Sequence, residues 1–251
     1  MAVIYPFGEG IVEKVVFEFL TSTIFSENKF QQFNTSGGKS RFIAKIIETV
    51  ESNIDAKLDE IRVIAFRDLD HGETIENICQ SFQRIVHKLL SSWETKPKAE
   101  EIIPESVYKW EVGKNEEPPG FKFVLHVARV KDLAISIRNQ TTDAYILQLG
   151  LSEQVLKRFA EESKVRSNYE TVNKLITSSI PYLIKENDIS FDEDKDYLAA
   201  YLVATRFWVI KRTEARTRLI KIILERGWQH NREGFKKIFD SWIKAINEVV
   251  R

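Results

Sequence analysis

The sequence predicts an α/β protein: an N-terminal Rossmann-like parallel sheet over residues 1–140, followed by an all-α C-terminal domain over residues 141–251. Three observations lead there. Apolar strand-like runs alternate with helical periods three times in the first 90 residues, proline and glycine crowd residues 94–120, and helical periodicity runs from Thr141 to the end. Repeated strand–helix alternation is the pattern of a parallel sheet, because a parallel crossover needs a connection long enough to hold a helix.

The first cycle is Val3-Ile4-Tyr5-Pro6-Phe7, a turn at Gly8-Glu9-Gly10, and a helix whose Ile11, Val15 and Phe19 recur at helical spacing with Val12, Val16 and Leu20 beside them. In the second, Phe30–Asn34 reads as a short strand, Ser36-Gly37-Gly38 as a turn, and Ser40–Val50 as a helix with Phe42, Ile43, Ile46, Ile47 and Val50 inward. The third has the strongest strand, Ile61–Phe66, then the loop Arg67-Asp68-Leu69-Asp70-His71-Gly72 and a helix through Ile75, Ile78, Phe82, Ile85, Val86 and Leu89. Residues 94–120 read as an excursion with a small strand at Val107–Val112, and Phe121–Val127 as a fourth strand of the same sheet. Helices are then expected at Asp143–Gly150, Ser152–Ser163, Tyr169–Ile184, Lys195–Arg226 and Arg232–Val250, the last covering the others, with Gly227 as a C-cap and Gly234 as an interruption.

Composition narrows the function classes. No uncharged apolar run approaches the roughly 18 to 20 residues of a membrane span, and no basic segment precedes the first apolar stretch, so the expectation is a cytoplasmic protein with no membrane partner. The single cysteine, Cys79, excludes an internal disulfide and any multi-cysteine zinc site, and it falls at a packing position. His87, His126 and His230 are isolated and read as structural. Net charge is zero, yet residues 1–120 carry 14 basic against 20 acidic side chains while residues 201–251 carry 12 against 5. Concentrated carboxylates attract divalent cations and a basic helical surface attracts phosphates; two solvated faces are the plainer account.

In an open α/β sheet, ligands collect where loops leave the carboxyl ends of the strands. Glu9 leaves the first strand, Glu13 lies one turn into the next helix, and Asp68 and Asp70 leave the third strand. If those strands are neighbours, four carboxylates share a small volume, which is costly unless cations compensate it. Mg2+ (or Mn2+) suits such a site, since it is hard, takes a few carboxylate oxygens and binds substrate phosphate directly. In an extended segment Asp68 and Asp70 point the same way and can reach one ion.

Glu9-Gly10 followed by Glu13, then Gly37-Gly38, then Asp68-Leu69-Asp70-His71-Gly72 after an apolar strand, resembles the Toprim family. That family includes type IA and II topoisomerases, primases, small RNA-processing nucleases and the overcoming-lysogenization-defect nucleases, and the nuclease branch is the most similar. The resemblance covers about residues 1–130. It implies that Glu9 is the proton-transfer or metal-binding glutamate, that Asp68 and Asp70 are metal ligands, and that Glu13 is the second acid of the catalytic group. It also implies that Gly10, Gly37, Gly38 and Lys39 face substrate. His71, directly after the Asp-x-Asp pair, is placed to touch metal or phosphate, and a merely exposed loop histidine is the plainer account. Thr142-Asp143-Ala144-Tyr145 is similar to the acid-x-Tyr segment that follows the last Toprim strand in nuclease-branch relatives; otherwise Asp143 is an acid at a helix N-terminus. Pro6 in the first strand and the long stretch from Glu94 to Gly120 depart from the family pattern.

The resemblance therefore implies metal-dependent phosphodiester chemistry on DNA or RNA, foremost a nuclease. The alternatives are a non-catalytic module that binds nucleic acid or nucleotide, and phosphotransfer on a small molecule. A Walker A loop is excluded, because the first glycine of that motif, six residues before Lys39, is missing: Phe33 stands there. In the tail, Arg206, Lys211, Arg212, Arg216, Arg218, Lys221 and Arg226 interleave with Tyr201, Phe207, Trp208 and Trp228. That pattern fits nucleic-acid binding, a solvated face over an aromatic core, or a homo-oligomer interface through the helical domain. Asp192-Glu193-Asp194 and Asp196 read as acids at a helix N-terminus, with a second metal site as the other reading.

Overall fold

In the computed structural model, which describes residues 3–36, 39–55, 60–91, 93, 96–112, 120–130, 132–135, 140–163, 169–187, 193–209 and 216–251, the apolar runs of the first half become strands. These are β1 (Val3–Gly8), β2 (Asn34–Thr35), β3 (Glu60–Arg67), β4 (Glu100–Ile103), β5 (Val107–Val112) and β6 (Gly120–Val127), ordered β2-β1-β3-β6-β5-β4 in one sheet. Strands β2, β1, β3 and β6 are parallel, while β5 and β4 join antiparallel. The sheet is thus mixed rather than wholly parallel. The excursion before β6 folds back as a hairpin, since the connection Pro104–Ser106 is too short for the crossover that a parallel neighbour requires.

Helices α1 (Ile11–Ile24), α2 (Lys39–Asp55) and α3 (Ile75–Leu89) follow the first three strands. Side chains alternate across the sheet, so Phe7, Val63, Ala65, Phe123 and Leu125 join a core with Phe42 and Ile46 of α2 and Phe82 and Val86 of α3. On the opposite face Phe66 meets Phe17 of α1 at 5.7 Å between ring centroids. All eight residues of β6 are buried, as expected of a strand covered on both faces.

Residues Val130–Phe239 form a second compact unit, built from α4 (Thr142–Gly150), α5 (Glu153–Ser163), α6 (Tyr169–Lys174), a π-helical turn (Leu175–Ser179), α7 (Ile180–Asn187), α8 (Asp194–Val209), α9 (Arg216–His230) and α10 (Arg232–Ile238). Eight of the nine residues of α4 are buried, which makes it the hub of this unit. Two glycines permit its close packing. A Cβ at Gly150 would lie 2.8 Å from Tyr201 Cζ, and one at Gly227 would lie 2.6 Å from Leu149 Cδ1, so Gly227 serves helix contact inside α9 rather than capping its end. The long helix expected over Lys195–Arg226 appears as α8 and α9, with residues 210–215 outside the described part.

The helix expected over Arg232–Val250 breaks at Phe239, whose N–H donates to Phe235 O at 3.0 Å, and resumes as α11 (Asp240–Val250). Instead of covering the other helices, α11 belongs with Met1–Arg129 and packs on β3, β5 and β6. Trp242, fully buried, stacks on Phe66 at 4.1 Å and 12°, and Ser241 Oγ meets His126 Nε2 at 3.0 Å. Arg62 of β3 donates to Val249 O at 3.0 Å, closing the carboxyl end of α11 with a cation where helix carbonyls lack partners. The division expected at residue 140 is thus observed near 130, with the last helix on the sheet's side.

Candidate functional site

Strands β1 and β3 are parallel neighbours, registered Gly8 against Phe66, so the segments leaving them emerge side by side at the carboxyl edge. Gly8 is fixed by space: a Cβ there would sit 2.6 Å from Phe33 Cζ and 2.9 Å from Glu13 Cβ. Glu9 follows, half-buried, then Gly10, whose N–H donates to Glu13 Oε2 at 2.9 Å. Glu13 is 4% exposed and closes the first turn of α1 in the manner of a capping box. The expected second acid therefore has a structural duty in addition to its charge.

Arg67, the last residue of β3, organises the edge. It faces the same side of the sheet as Val63 and Ala65, is 8% exposed, and its guanidinium spreads across both flanking loops. Nη1 donates to Glu9 Oε1 and, at 2.8 Å, to Asp68 O. Nη2 donates to both carboxylate oxygens of Glu73, at 2.8 and 2.9 Å. Glu73 Oε2 also accepts from Asp70 N at 3.3 Å, and Glu73 N donates to Asp70 O at 3.1 Å. The turn between them passes through exposed His71 and through Gly72, whose φ of +81° suits glycine. Thr74 then caps α3, its side chain accepting from Asn77 N at 3.2 Å.

Burial raises the Glu9 carboxyl above the ordinary glutamate range, against the pull of Arg67, and the nearby charges of Asp70 and Glu13 raise it further. Beside the network lies a cleft of about 360 Å³ between α2 and α3, with Arg67, Gly72, Glu73, Asn77 and Ser81 on its polar side and Phe42 on its apolar side.

Of the residues the sequence singles out, Glu9, Gly10, Asp68, Asp70 and His71 lie on the two loops at this edge, and Glu13 lies in the first turn of α1 beside them. Gly37 and Gly38 are outside the described residues; Lys39 begins α2, but its side chain is also outside them. Sequence reasoning missed Arg67 and Glu73. The available signal was an arginine in register with the inward residues Val63 and Ala65, which buries a cation and demands acidic partners nearby.

Carboxylate oxygens from Glu9, Asp68 and Asp70 suit a hard divalent ion in kind. As arranged, however, Glu9 is engaged by Arg67, and among the described residues no group of three or more His, Cys, Asp or Glu side chains is gathered as a ligand set. Arg67 occupies Oε1 of Glu9, so an ion that took that oxygen would compete with the guanidinium.

Asp143 is buried in the helical unit, where Arg216 Nη2 donates to both its oxygens at 2.8 Å. Asp194, fully buried, accepts at Oδ2 from Thr141 N and Oγ1, both at 2.6 Å, and from Ala144 N at 3.2 Å. That acid ties the start of α8 to the start of α4, and burial pushes its pKa up to about 6. Tyr201 is core, donating to Gly150 O at 2.8 Å, whereas half-buried Trp228 carries Arg232 over its ring at 4.2 Å. Lys211, Arg212 and Asp192 and the side chains of Arg206, Phe207 and Trp208 lie outside the described residues. No described helix is long and apolar enough to cross a membrane. In comparisons with protein-family models, curated proteins and solved structures, nothing matches this chain.

Proposed function

We propose that the chain is a Toprim-type enzyme that cuts phosphodiester bonds in DNA or RNA with Mg2+ or Mn2+, the carboxyl edge of a Rossmann-like sheet being its active site. The observation that carries this reading is the parallel pairing of β1 with β3, because it brings Glu9 and the Asp68-Leu69-Asp70 turn to one sheet edge. Glu9, Asp68 and Asp70 are the residues that would hold the ion. When bound, such an ion would polarise the scissile phosphate and lower the pKa of a water.

The chain's own groups supply the rest. Glu9, with its carboxyl raised by burial, is better matched to proton transfer near neutral pH than an ordinary glutamate. Glu13 fixes the loop that carries it. Arg67, with donors spread in a planar fork, has the chemistry to bind a phosphate oxygen. The adjoining cleft offers a polar edge over an apolar wall, suited to a nucleotide next to the cut.

The test is cleavage of DNA and RNA oligonucleotides by the full chain with Mg2+ or Mn2+. Glu9→Gln and Asp68→Asn are expected to lower the rate at least 100-fold while leaving the circular-dichroism spectrum unchanged. Equal rates in the variants would reject the site. One observation favours a second reading: Glu9 already has a cation in Arg67, as befits a module that binds nucleic acid or nucleotide without cutting it. Binding of oligonucleotide with no turnover under either ion would support that reading; release of phosphate from free nucleotides alone would point to small-molecule chemistry.

A further inference from the structure

We propose that Arg67 is the resident counter-cation of this edge, competing with the divalent ion for Glu9; the proposal rests on the metal-dependent reading above and adds a control on ion loading to it. The geometry has two unequal halves. Toward Glu73, Nη2 donates to both carboxylate oxygens and holds the guanidinium to the loop that begins α3. Toward Glu9, Nη1 makes a single carboxylate contact and shares itself with the Asp68 carbonyl. The Glu73 half is the anchor, and the Glu9 half is the exchangeable one.

Charge explains why such a residue is needed. The charges of Asp70 and Glu13 act on Glu9, which is largely withdrawn from water. Without an ion, a buried carboxylate in that field needs a cation, and the strand register places Arg67 where it can serve. A divalent ion held by Glu9 would bring two charges to the carboxylate whose Oε1 Arg67 occupies, and would compete with the Nη1 half of the fork. Because Glu73 retains Nη2, displacement does not strand a buried guanidinium, which would be strongly unfavourable. Nη1 is then released at the edge where a phosphate would lie, and a guanidinium donor exchanges a carboxylate for a phosphate oxygen without change of geometry.

Mn2+ binding to the full chain without substrate, measured by calorimetric titration, tests this. Removing a competitor strengthens ion binding, so Arg67→Gln is expected to bind Mn2+ at least fivefold more tightly than the unaltered chain. Arg67→Lys, a point charge unable to span Glu9 and Glu73, is expected to bind at least twofold more tightly, and it provides the comparison if Arg67→Gln does not fold. A residue that merely holds the loops in place predicts the reverse, since its loss would scatter the ligands. Equal or weaker binding by a folded Arg67 variant, with the unaltered chain still binding Mn2+, overturns the proposal and leaves the metal-dependent reading intact. Failure of the unaltered chain to bind Mn2+ or cut any oligonucleotide removes both.

Discussion

In the sheet unit Glu9 meets a guanidinium, whereas in the helical unit Asp194 meets a threonine hydroxyl and backbone amides. Both carboxylates are largely withdrawn from water, but the two solutions differ in kind. Neutral donors aimed at a fixed point secure geometry without compensating charge, so Asp194 is tied to the first turn of α4 and its proton is held up to about pH 6. A guanidinium compensates charge and can trade partners, because an incoming cation replaces it in kind. A buried acid satisfied by backbone amides is therefore a strut, and one satisfied by an arginine with a second anchor is built for exchange.

The largest expected effect concerns which unit each element stabilises. Trp242→Ala removes a fully buried ring stacked on Phe66 and tilted against His126 at 4.9 Å, and should cost about 3–5 kcal/mol. Hydrogen exchange should show the loss in β3 and β6, the strands on which α11 lies. If exchange rises as much in α4 as in β6, α11 does not belong to the sheet unit alone and the comparison loses its footing.

Several strands and helices were legible in the sequence. The apolar runs at Val3, Ile61 and Phe121 announced β1, β3 and β6, because a parallel strand buried on both faces reads as nearly continuous hydrophobicity. The spacing of Ile75, Ile78, Phe82, Ile85 and Leu89 likewise announced α3. Strand β4 was not legible: its Glu100 and Glu101 are exposed on the outermost strand, so its pairing leaves no apolar signature. The reassignment of α11 was hidden for another reason. Its period gives an apolar face without saying which surface that face meets, and Trp242 has its partner 176 positions earlier, at Phe66. At the edge, the acids stood out because carboxylates after apolar strands are conspicuous. Arg67 did not, since a charged residue ending a strand ordinarily faces solvent, and only the register with Val63 and Ala65 turns it inward.

A middle-sized effect separates the strut from the exchangeable pair. Asp194→Ala leaves Thr141 and Ala144 donors buried without their acceptor and should cost about 1–3 kcal/mol, seen as faster exchange at the start of α4. The pH dependence has a definite sign. The Asp194 carboxyl is raised in the folded chain, from 3.8 to about 6, so the folded state holds the proton more tightly than the unfolded state. Its contribution is present in full below the unfolded value and is lost as pH rises through about 6. Asp143, also raised by burial, adds to the same slope, while Arg216 and Lys195 pull it the other way. Thermal melts between pH 4 and 7 should therefore show the helical unit weakening with rising pH, and Asp194→Asn should flatten that trend. A slope of opposite sign in the unaltered chain would mean that the amide and hydroxyl donors outweigh burial, which would make Asp194 an ordinary stabilised carboxylate.

The smallest effect bears on Glu13, which stands between the two kinds of acid. It accepts Gly10 N–H as a strut would, yet its charge acts on Glu9. Glutamine keeps an acceptor oxygen at the same reach, so Glu13→Gln should change stability by about 1 kcal/mol or less, no more than the typical cost of losing a helix cap outright. Removing the charge relieves a repulsion that raises the Glu9 carboxyl, so Glu9 should titrate at lower pH in the variant. Carbon-detected NMR of the Glu9 side chain would follow that midpoint directly. A lower midpoint with an unchanged fold assigns Glu13 to both roles: its hydrogen bond sets where Glu9 sits, and its charge sets how readily Glu9 gives up a proton. An unmoved midpoint leaves only the strut, and the candidate catalytic group contracts to Glu9, Asp68 and Asp70 with Arg67 between them.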